Sequence, residues 1–308
     1  MPAIIAHHLF GEGVYSSLRP VVGTGDAERD AFLLGNIGPD PLFCLRVLPR
    51  RVSFRLIGSV MHAERPTKLL SALHRRCVAD EDGAVRAYAL GFLCHYLLDS
   101  TAHPLVYAQQ FAVCDALGAQ PDSPSGGTVH AMIETELDEW LLREKRGLTV
   151  AEFSPRRETL NCASDALDEI SAAVADVAND TYGLAMPRNA FAASVRLDRA
   201  AQLSIDSKRE GVRRHVDYAV LTGRRYPHVL ALTHSADATS APFTNEDHVL
   251  WPHPFEETAV VRASFGDLYE AALDRACELI PQFAREGFSP ADFAELTDGL
   301  NFRGERVE

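Results

Sequence analysis

The chain has 308 residues, of which 46% are hydrophobic and 24% charged, as is ordinary for a globular protein with a buried core. Acidic residues outnumber basic ones by 43 to 30. The net charge of −13 argues against a nucleic acid backbone as the main partner, because phosphate binding needs clustered lysine and arginine. No apolar run reaches the roughly 20 residues of a membrane-spanning helix, and residues 1–20 lack the pattern of a secretory signal. Since the six cysteines include no CxxC pair, we expect a cytoplasmic protein with reduced, mostly buried thiols.

Three segments near the start of the chain contain candidate metal ligands. The first, IAHHLFGEG, offers His7 and His8. Asp40 lies between two prolines in a rigid turn, GNIGPDPLF, and His62 follows in SVMHAERP, just before the predicted helix 66–79. Each signal is weak alone, because a single histidine on an apolar face is more often a core residue than a ligand.

The central pattern is GFLCHYLLDSTAHPLVY, which begins in the predicted helix 83–103. His95, Asp99 and His103 follow one another at four-residue steps, so they lie along one stripe of the helix. Their neighbours are apolar, and burying a carboxylate and two imidazoles there is costly unless they are paired or bound to metal. We expect Pro104 to end or kink the helix directly after His103.

The next predicted helix, 128–146, repeats the pattern with His130 and Glu134 four residues apart on one face. Two such helices side by side bring five nitrogen and oxygen ligands together, a set that suits zinc better than iron or manganese. The absence of cysteine ligands favours a catalytic centre over a structural one. Each pair alone is often only a helix surface pair, but the two patterns in succession predict a metal site.

Helical periodicity dominates the rest of the chain, and no run of alternating residues predicts a strand, so the expected fold class is all-α. The polar, proline-rich stretch 234–256 is long enough to be a lid or to form the rim of a pocket. We expect His248 and His253 at the surface, and Arg224 and Arg225 on a solvated face. The remaining predicted helices are one near 26–36, 157–178, 190–222 and 257–285.

The order of these candidate ligands along the chain resembles that of the zinc-dependent phospholipase C family. This family shares its fold with single-strand nucleases of the P1 type. The sequence motifs that carry the resemblance are HxLFG, GxIGPDPLF, MHxERP, GFLCHYLLDxxxHP and HxxxE. They closely resemble the motifs of the intracellular branch of the family. The resemblance covers about residues 5–135. The residues that carry it are His7, Asp40, His62, His95, Asp99, His103, His130 and Glu134.

The resemblance implies a multi-helix phospholipase C or P1 nuclease-like bundle around a multinuclear metal site. We expect a single domain over residues 1–308. Its metal-binding helical core would span about 1–150, and additional packing helices and the pocket-rim loop would span about 151–308.

The resemblance also assigns the ligands to particular metals. Asp40, His62, His95 and Asp99 would hold a first zinc, and His103, His130 and Glu134 a second zinc with open positions. Asp99 would bridge to a third metal bound by His7, which is preferred to His8 because it lies three residues before Phe10. In secreted members a terminal tryptophan completes the third site. This chain begins Met-Pro, so two zinc ions are expected and the third is left open.

The function implied is phosphodiester hydrolysis of the phospholipase C kind, in which zinc-bound hydroxide attacks the head-group phosphate of a phospholipid. Zinc lowers the pKa of a bound water towards about 7, which supplies hydroxide at neutral pH. Asp40 and Asp99 would be the catalytic carboxylates, and Asp40 could either bind metal or orient the attacking water. The expected partners are a phospholipid or small phosphodiester substrate and a peripheral membrane contact, with no stable nucleic acid partner.

Two alternatives stay open. One is a nuclease or 3′-nucleotidase on the same scaffold, which would need aromatic platforms for bases, for example Tyr96, Tyr107 or Trp251. The other is a zinc-binding homologue without catalytic activity. A phosphohydrolase of the HD type is set aside because the chain has no His-Asp dipeptide, and a ferritin-like di-iron site fits poorly because the spacing is not ExxH.

Overall fold

Helices account for nearly all the regular structure in the computed structural model, which describes residues 3–80, 83–202, 234 and 241–308. The α-helices of these residues are α1 (Ile4–Val22), α2 (Asp26–Ile37), α3 (Ile57–Ala63), α4 (Pro66–Ala79), α5 (Ala84–Leu117), α6 (Pro124–Arg146), α7 (Pro155–Glu158), α8 (Ser164–Tyr182), α9 (Ala190–Ala201), α10 (Phe265–Phe283) and α11 (Pro290–Thr297). Two 3-10 helices, Asp40–Val47 and Ser53–Leu56, connect α2 to α3. The strands β1 (Trp251–Pro252) and β2 (Val260–Val261) form a short antiparallel pair. The all-α prediction is confirmed.

Helix α5 lies at the centre of the fold and packs against α1, α2, α4, α6, α8 and α10. Its closest neighbour is α2, because two glycines let the backbones touch. A Cβ atom on Gly35 would lie 2.2 Å from the carbonyl oxygen of Tyr88, and one on Gly91 would lie 2.0 Å from that of Phe32. The close approach brings the end of α2 against the face of α5 that carries the candidate ligands.

The expectation that Pro104 ends the central helix is wrong, because α5 continues to Leu117. Proline removes one backbone donor, and the loss of a single bond is offset where tertiary packing holds the helix. Here Gly304 packs directly on this turn. A Cβ atom at Gly304 would lie 2.6 Å from Cγ of Pro104 and 2.9 Å from the carbonyl oxygen of Ser100.

Two other helix starts differ from the prediction because of capping. Helix α6 begins at Pro124 instead of residue 128, since Ser123 accepts a hydrogen bond from the amide of Gly126. Helix α10 begins only at Phe265, where Ser264 and Asp267 form a reciprocal capping box, although the pattern predicted a start at residue 257.

The prediction of one helix over 157–178 is wrong in its first part, because the chain there forms the short α7 at Pro155–Glu158, a break, and then α8 at Ser164–Tyr182. Helix α4 spans 66–79 as predicted, and α2 (Asp26–Ile37) lies where a helix was expected near 26–36. Helix α9 covers the first part of the predicted segment 190–222, whose remainder from residue 203 lies outside the described residues, as do Arg224 and Arg225.

Two expectations from composition can be compared with the structure. All six cysteines are free thiols, as the absence of paired spacing predicted. Within the described ranges, no helix is long and apolar enough to cross a membrane. The division into a metal-binding core and packing helices stays a prediction.

Candidate metal centre

Three groups of side chains lie side by side in the interior, and each has ligand atoms within 4.8 Å of one another. The three groups are His7, His95 and Asp99; Asp40, His62 and His95; and His103, His130 and Glu134. Together they are the eight residues that the sequence pattern singled out. Each group therefore has the donor atoms and the spacing to hold a metal ion.

Five elements of the fold supply these side chains. Helix α5 contributes its stripe of three, because residues four apart share a helix face, and α6 contributes its pair for the same reason. His7 comes from α1, Asp40 from the start of a 3-10 helix, and His62 from α3. His8 lies on a different face of α1, where its ring is 6.0 Å from that of Phe153. The preference for His7 therefore agrees with the geometry.

Asp99 is the point where the three groups meet. One carboxylate oxygen, Oδ1, lies 3.1 Å from Nε2 of His7 and 3.6 Å from Nδ1 of His103. The other, Oδ2, lies 3.2 Å from Nε2 of His95 and 3.7 Å from Nε2 of His62. The carboxylate thus faces the Nε2 atoms of the first two groups, as a ligand shared between them would, whereas it meets the third group only at Nδ1 of His103.

The third group is the one nearest to solvent. Oε1 of Glu134 lies 3.2 Å from Nε2 of His103 and 3.3 Å from Nε2 of His130. The side chain of His130 is 20% exposed, whereas that of His95 is fully buried. This side of the centre is therefore the one that a substrate in solution can approach.

Four of the five histidines are oriented by an oxygen atom on the far side of the ring. The Nδ1 contacts are His62 to the carbonyl of Gly58 (2.6 Å), His95 to the carbonyl of Asn36 (3.0 Å), His103 to the carbonyl of Phe302 (2.7 Å) and His130 to Oε1 of Gln110 (2.9 Å). These oxygens can only accept, so they place the proton on Nδ1 and leave the lone pair of Nε2 directed at the centre. Histidines that bind metals are oriented in the same way.

His95 gives the clearest sign that a cation belongs here. Its Nε2 atom is buried without a hydrogen-bond partner among the described residues, and it faces Oδ2 of Asp99. When His95 is neutral, the carbonyl of Asn36 keeps its proton on Nδ1. Nε2 of His95 and Oδ2 of Asp99 are then both hydrogen-bond acceptors. Two facing acceptors away from water are unfavourable unless positive charge lies between them, either a proton, which the raised pKa of His95 favours in the metal-free protein, or a metal ion. The residues present therefore fit a bound metal.

The electrostatics of the centre agree with this conclusion. Burial by itself raises the pKa of Asp99 and of Glu134, but the surrounding histidines hold the pKa of both carboxyl groups well below the usual range. For His95, burial lowers the pKa, and the charges of Asp99 and Asp40 outweigh it and raise the pKa. The centre thus keeps its carboxylates ionised and attracts positive charge.

A small cavity, with an accessible volume of about 30 Å³, adjoins the first and third groups. His7, Asp99, His103 and Glu134 form its polar side. Its other walls are mostly apolar and include Val106 and Phe265. The space beside the centre is therefore that of about one or two water molecules, with a polar side at the candidate ligands and an apolar side beside them.

Part of the predicted rim loop lies close to this centre. The ring of Phe255 is 5.4 Å from that of Tyr107, which in turn lies 4.9 Å from the ring of His130. His248, in the same stretch, is about half exposed, and His253 is half-buried; neither belongs to the three groups.

A sequence model of the zinc-dependent phospholipase C family matches residues 1–183, the part of the chain that holds all eight candidate ligands. The chain belongs to the zinc-dependent phospholipase C family. Comparison with curated proteins gives no match, and neither does comparison with solved structures. The imidazole and carboxylate donors of the centre are those that zinc prefers, in keeping with the family's dependence on zinc.

The sequence pattern did not reveal the residues that orient the candidate ligands of this zinc-dependent phospholipase C family member. Gln110 could have been found, because it follows His103 by seven residues and so lies on the same face of α5. The carbonyl of Phe302 could not, since it reaches His103 from nearly 200 residues away and backbone atoms leave no trace in the side-chain pattern.

The charges around His103 predict how zinc binding depends on pH. Burial lowers the pKa of His103, but Asp99 and Glu134 outweigh it and raise the pKa to about 9 in the metal-free protein. At neutral pH a proton therefore occupies this imidazole, and zinc must displace it. As the pH rises from about 7 towards 9 the competing proton is lost, so zinc affinity should increase by about tenfold per unit. Competition titrations with a chelator, corrected for its own proton binding, measure this slope; a flat or falling affinity would contradict it.

Proposed function

We propose that this chain is a zinc-dependent phosphodiester hydrolase of the phospholipase C type, acting on the head-group phosphate of a phospholipid. The observation that supports this best is the meeting of three ligand groups at Asp99, beside a cavity with one polar and one apolar side. A phospholipid has the matching division, with an anionic phosphate next to an apolar glyceride.

The eight residues would hold zinc as three neighbouring groups, with Asp99 shared among them. Zinc held there supplies a Lewis acid for the phosphoryl oxygens and lowers the pKa of a coordinated water. The chain itself fixes the ring of His103, because the Nδ1–H group donates to the carbonyl oxygen of Phe302. The apolar walls of the cavity limit access of bulk water, so the charges of the centre are screened less there.

The low pKa of Asp40 limits the roles that its carboxylate can have in the reaction. Burial raises the pKa of this carboxyl, but the surrounding positive charges, that of His95 among them, outweigh burial and lower the pKa well below the usual range in the metal-free protein. A carboxylate this acidic stays ionised at neutral pH. We therefore assign Asp40 as a ligand, or as an acceptor that orients the attacking water, and not as a proton carrier.

A nuclease or 3′-nucleotidase activity is the second candidate, and one observation favours it. Tyr107, Phe111 and Phe255 form a half-buried aromatic group next to His130, with ring centroids 5.4 to 6.0 Å apart in contacting pairs. Such rings can stack on a nucleobase. They can equally line the apolar side of a lipid site, so substrate tests must decide.

Metal content tests the proposal first. Protein purified without chelator or metal-affinity tag should contain about two or three zinc ions per chain by elemental mass spectrometry. Hydrolysis is then compared between a soluble phosphatidylcholine analogue and single-stranded DNA. The variant Glu134→Gln should reduce hydrolysis by about 100-fold or more, while Glu144→Gln, an exposed glutamate on the same helix, should not.

The outcomes distinguish the two candidate functions. Zinc with hydrolysis of the lipid analogue supports the phospholipase C assignment, and zinc with hydrolysis of DNA alone supports the second candidate. A protein that takes up no zinc after incubation and desalting would contradict both.

A further inference from the structure

Residues 46–56, RVLPRRVSFRL, form a basic surface segment that runs from the end of the first 3-10 helix through the second 3-10 helix to the start of α3. The segment contains four arginines, Arg46, Arg50, Arg51 and Arg55. Over the longer stretch 41–63 there is no aspartate or glutamate, although the whole chain has a net charge of −13. The local charge is therefore opposite to that of the protein as a whole.

In the described part of the chain, no carboxylate lies within 4.0 Å of these four guanidinium groups, unlike those of Arg76, Arg146 and Arg306, which pair with acidic residues. Arg46 donates to the hydroxyl of Ser59, and Arg55 donates to the carbonyls of Leu48 and Arg46. Arg50 and Arg51 are exposed. The positive charge of the segment is thus left for an external partner.

The arginines also repel one another. Burial and then the like charges of Arg55 and Arg303 lower the pKa of Arg46. Arg303 follows Phe302, whose carbonyl orients His103, so a further cation from the end of the chain approaches the same region. An anionic partner would relieve this repulsion.

Apolar side chains are exposed among these charges. Val47 is 76% exposed and Leu56 44% exposed, one near each end of the segment. A second exposed apolar patch, made by Val249, Leu250 and Val260 around the β1–β2 pair, lies in a stretch whose neighbours in sequence are acidic (Glu246, Asp247, Glu256 and Glu257). The second patch has one exposed arginine, Arg262, against these four acidic residues, so only residues 46–56 combine exposed apolar side chains with a net positive charge.

The segment is attached directly to the candidate metal centre. Its flanking elements contain Asp40 on one side and His62 on the other. The ring of Phe43 stacks on His62 with centroids 5.0 Å apart, and the guanidinium carbon of Arg46 lies 4.7 Å from the centroid of Phe43. Only one side chain, that of Phe43, therefore separates the candidate ligand His62 from Arg46 of this surface.

We propose that residues 46–56 are a docking surface for a membrane rich in anionic phospholipid. Arginines at a lipid surface bind the phosphates, and exposed aliphatic side chains enter the boundary between head groups and acyl chains. A nucleic acid would satisfy the arginines and leave Val47 and Leu56 in water, so charge and apolar surface together favour lipid. The inference rests on the proposed function for its meaning, since docking here would hold the protein at a surface that contains its proposed substrate.

Vesicle flotation tests this docking surface. We use vesicles of phosphatidylcholine alone and vesicles in which about a third of the lipid is phosphatidylglycerol. The native chain should bind the anionic vesicles preferentially. The variant R50Q/R51Q should weaken this binding by about 25-fold, or about fivefold per arginine, and V47S/L56S by about tenfold. All four substituted side chains are exposed. Thermal unfolding of each variant checks that it folds.

A matched control removes two exposed arginines elsewhere, in R75Q/R157Q, which should bind as the native chain does. Equal binding to both kinds of vesicle, or native binding by R50Q/R51Q, would overturn the proposal. So would R50Q/R51Q losing binding to a single-stranded oligonucleotide while keeping its binding to vesicles. Hydrolysis of a water-soluble phosphodiester is measured separately: its absence in the native chain counts against the proposed function, whereas loss of vesicle binding in the variants supports docking in either case.

Discussion

Replacing Asp99 by asparagine should lower both the bound zinc and the rate of phosphodiester hydrolysis more than any other single substitution in the centre. The reason is that Asp99 contacts a histidine from each of the three groups, and asparagine keeps its shape but removes its charge. Hydrolysis should fall by about 10³-fold or more, because a neutral amide is a poor ligand and cannot bridge two cations. Elemental mass spectrometry and a phosphodiesterase assay on the same sample measure the two effects together.

Asp198→Asn is the matched control. This carboxyl is also buried and accepts a hydrogen bond from Gln202, but it belongs to none of the three groups. Burial raises the pKa of Asp198 to about 6, so asparagine resembles the protonated form that it already adopts in part. Asp198→Asn should therefore keep its zinc. An Asp99→Asn protein with native zinc content and native hydrolysis would show that the bridging role is wrong.

The candidate ligands of α5 and α6 could be found from the sequence because they follow a helix period. His95, Asp99 and His103 recur every four residues, as do His130 and Glu134, and such spacing fixes a common face whatever the tertiary structure. The sequence motifs that resemble the phospholipase C family then added the three weaker candidates, Asp40, His62 and His7, to the same set. The family and the all-α class could thus be reached before any coordinates.

The parts of the centre that could not be predicted are tertiary. The length of α5 depends on Gly304 packing over Pro104, and these residues lie 200 positions apart. The tautomer of His95 depends on a carbonyl of α2, brought close by the approach of the two helices at Gly35. Neither fact has a local sequence signal, since the determinants are a glycine without a side chain and a backbone atom.

Asp138 is the most informative residue that sequence inspection passed over. It continues the stripe of α6 at the same four-residue step after His130 and Glu134, and it is fully buried. Its carboxylate accepts hydrogen bonds from the amides of Ile5 (3.2 Å) and Ala6 (2.7 Å) and from Nε2 of His234 (3.0 Å). Helix α1 has no side-chain cap of its own, so Asp138 satisfies its first turn from another helix.

Because His7 lies one residue after these capped amides, we expect Asp138→Asn to act on both stability and metal binding. The amide group of asparagine would face donors where the carboxylate accepted, leaving at least one buried N–H unsatisfied. The free energy of unfolding should fall by about 3 kcal/mol, and the melting temperature by about 5–10 °C. Calorimetry on the native chain and the variant measures the change.

The metal readout separates positioning from simple destabilisation. Measured well below the melting temperature, Asp138→Asn should lose zinc that depends on His7 and keep zinc held by His103, His130 and Glu134, which do not depend on the start of α1. Asp267→Asn is the control, because Asp267 caps α10 with the same chemistry at an exposed position, where the loss should be about 1 kcal/mol or less. If Asp138→Asn is no less stable than Asp267→Asn and keeps all its zinc, Asp138 does not position His7. If only stability falls, Asp138 holds α1 in place while His7 reaches the centre without it.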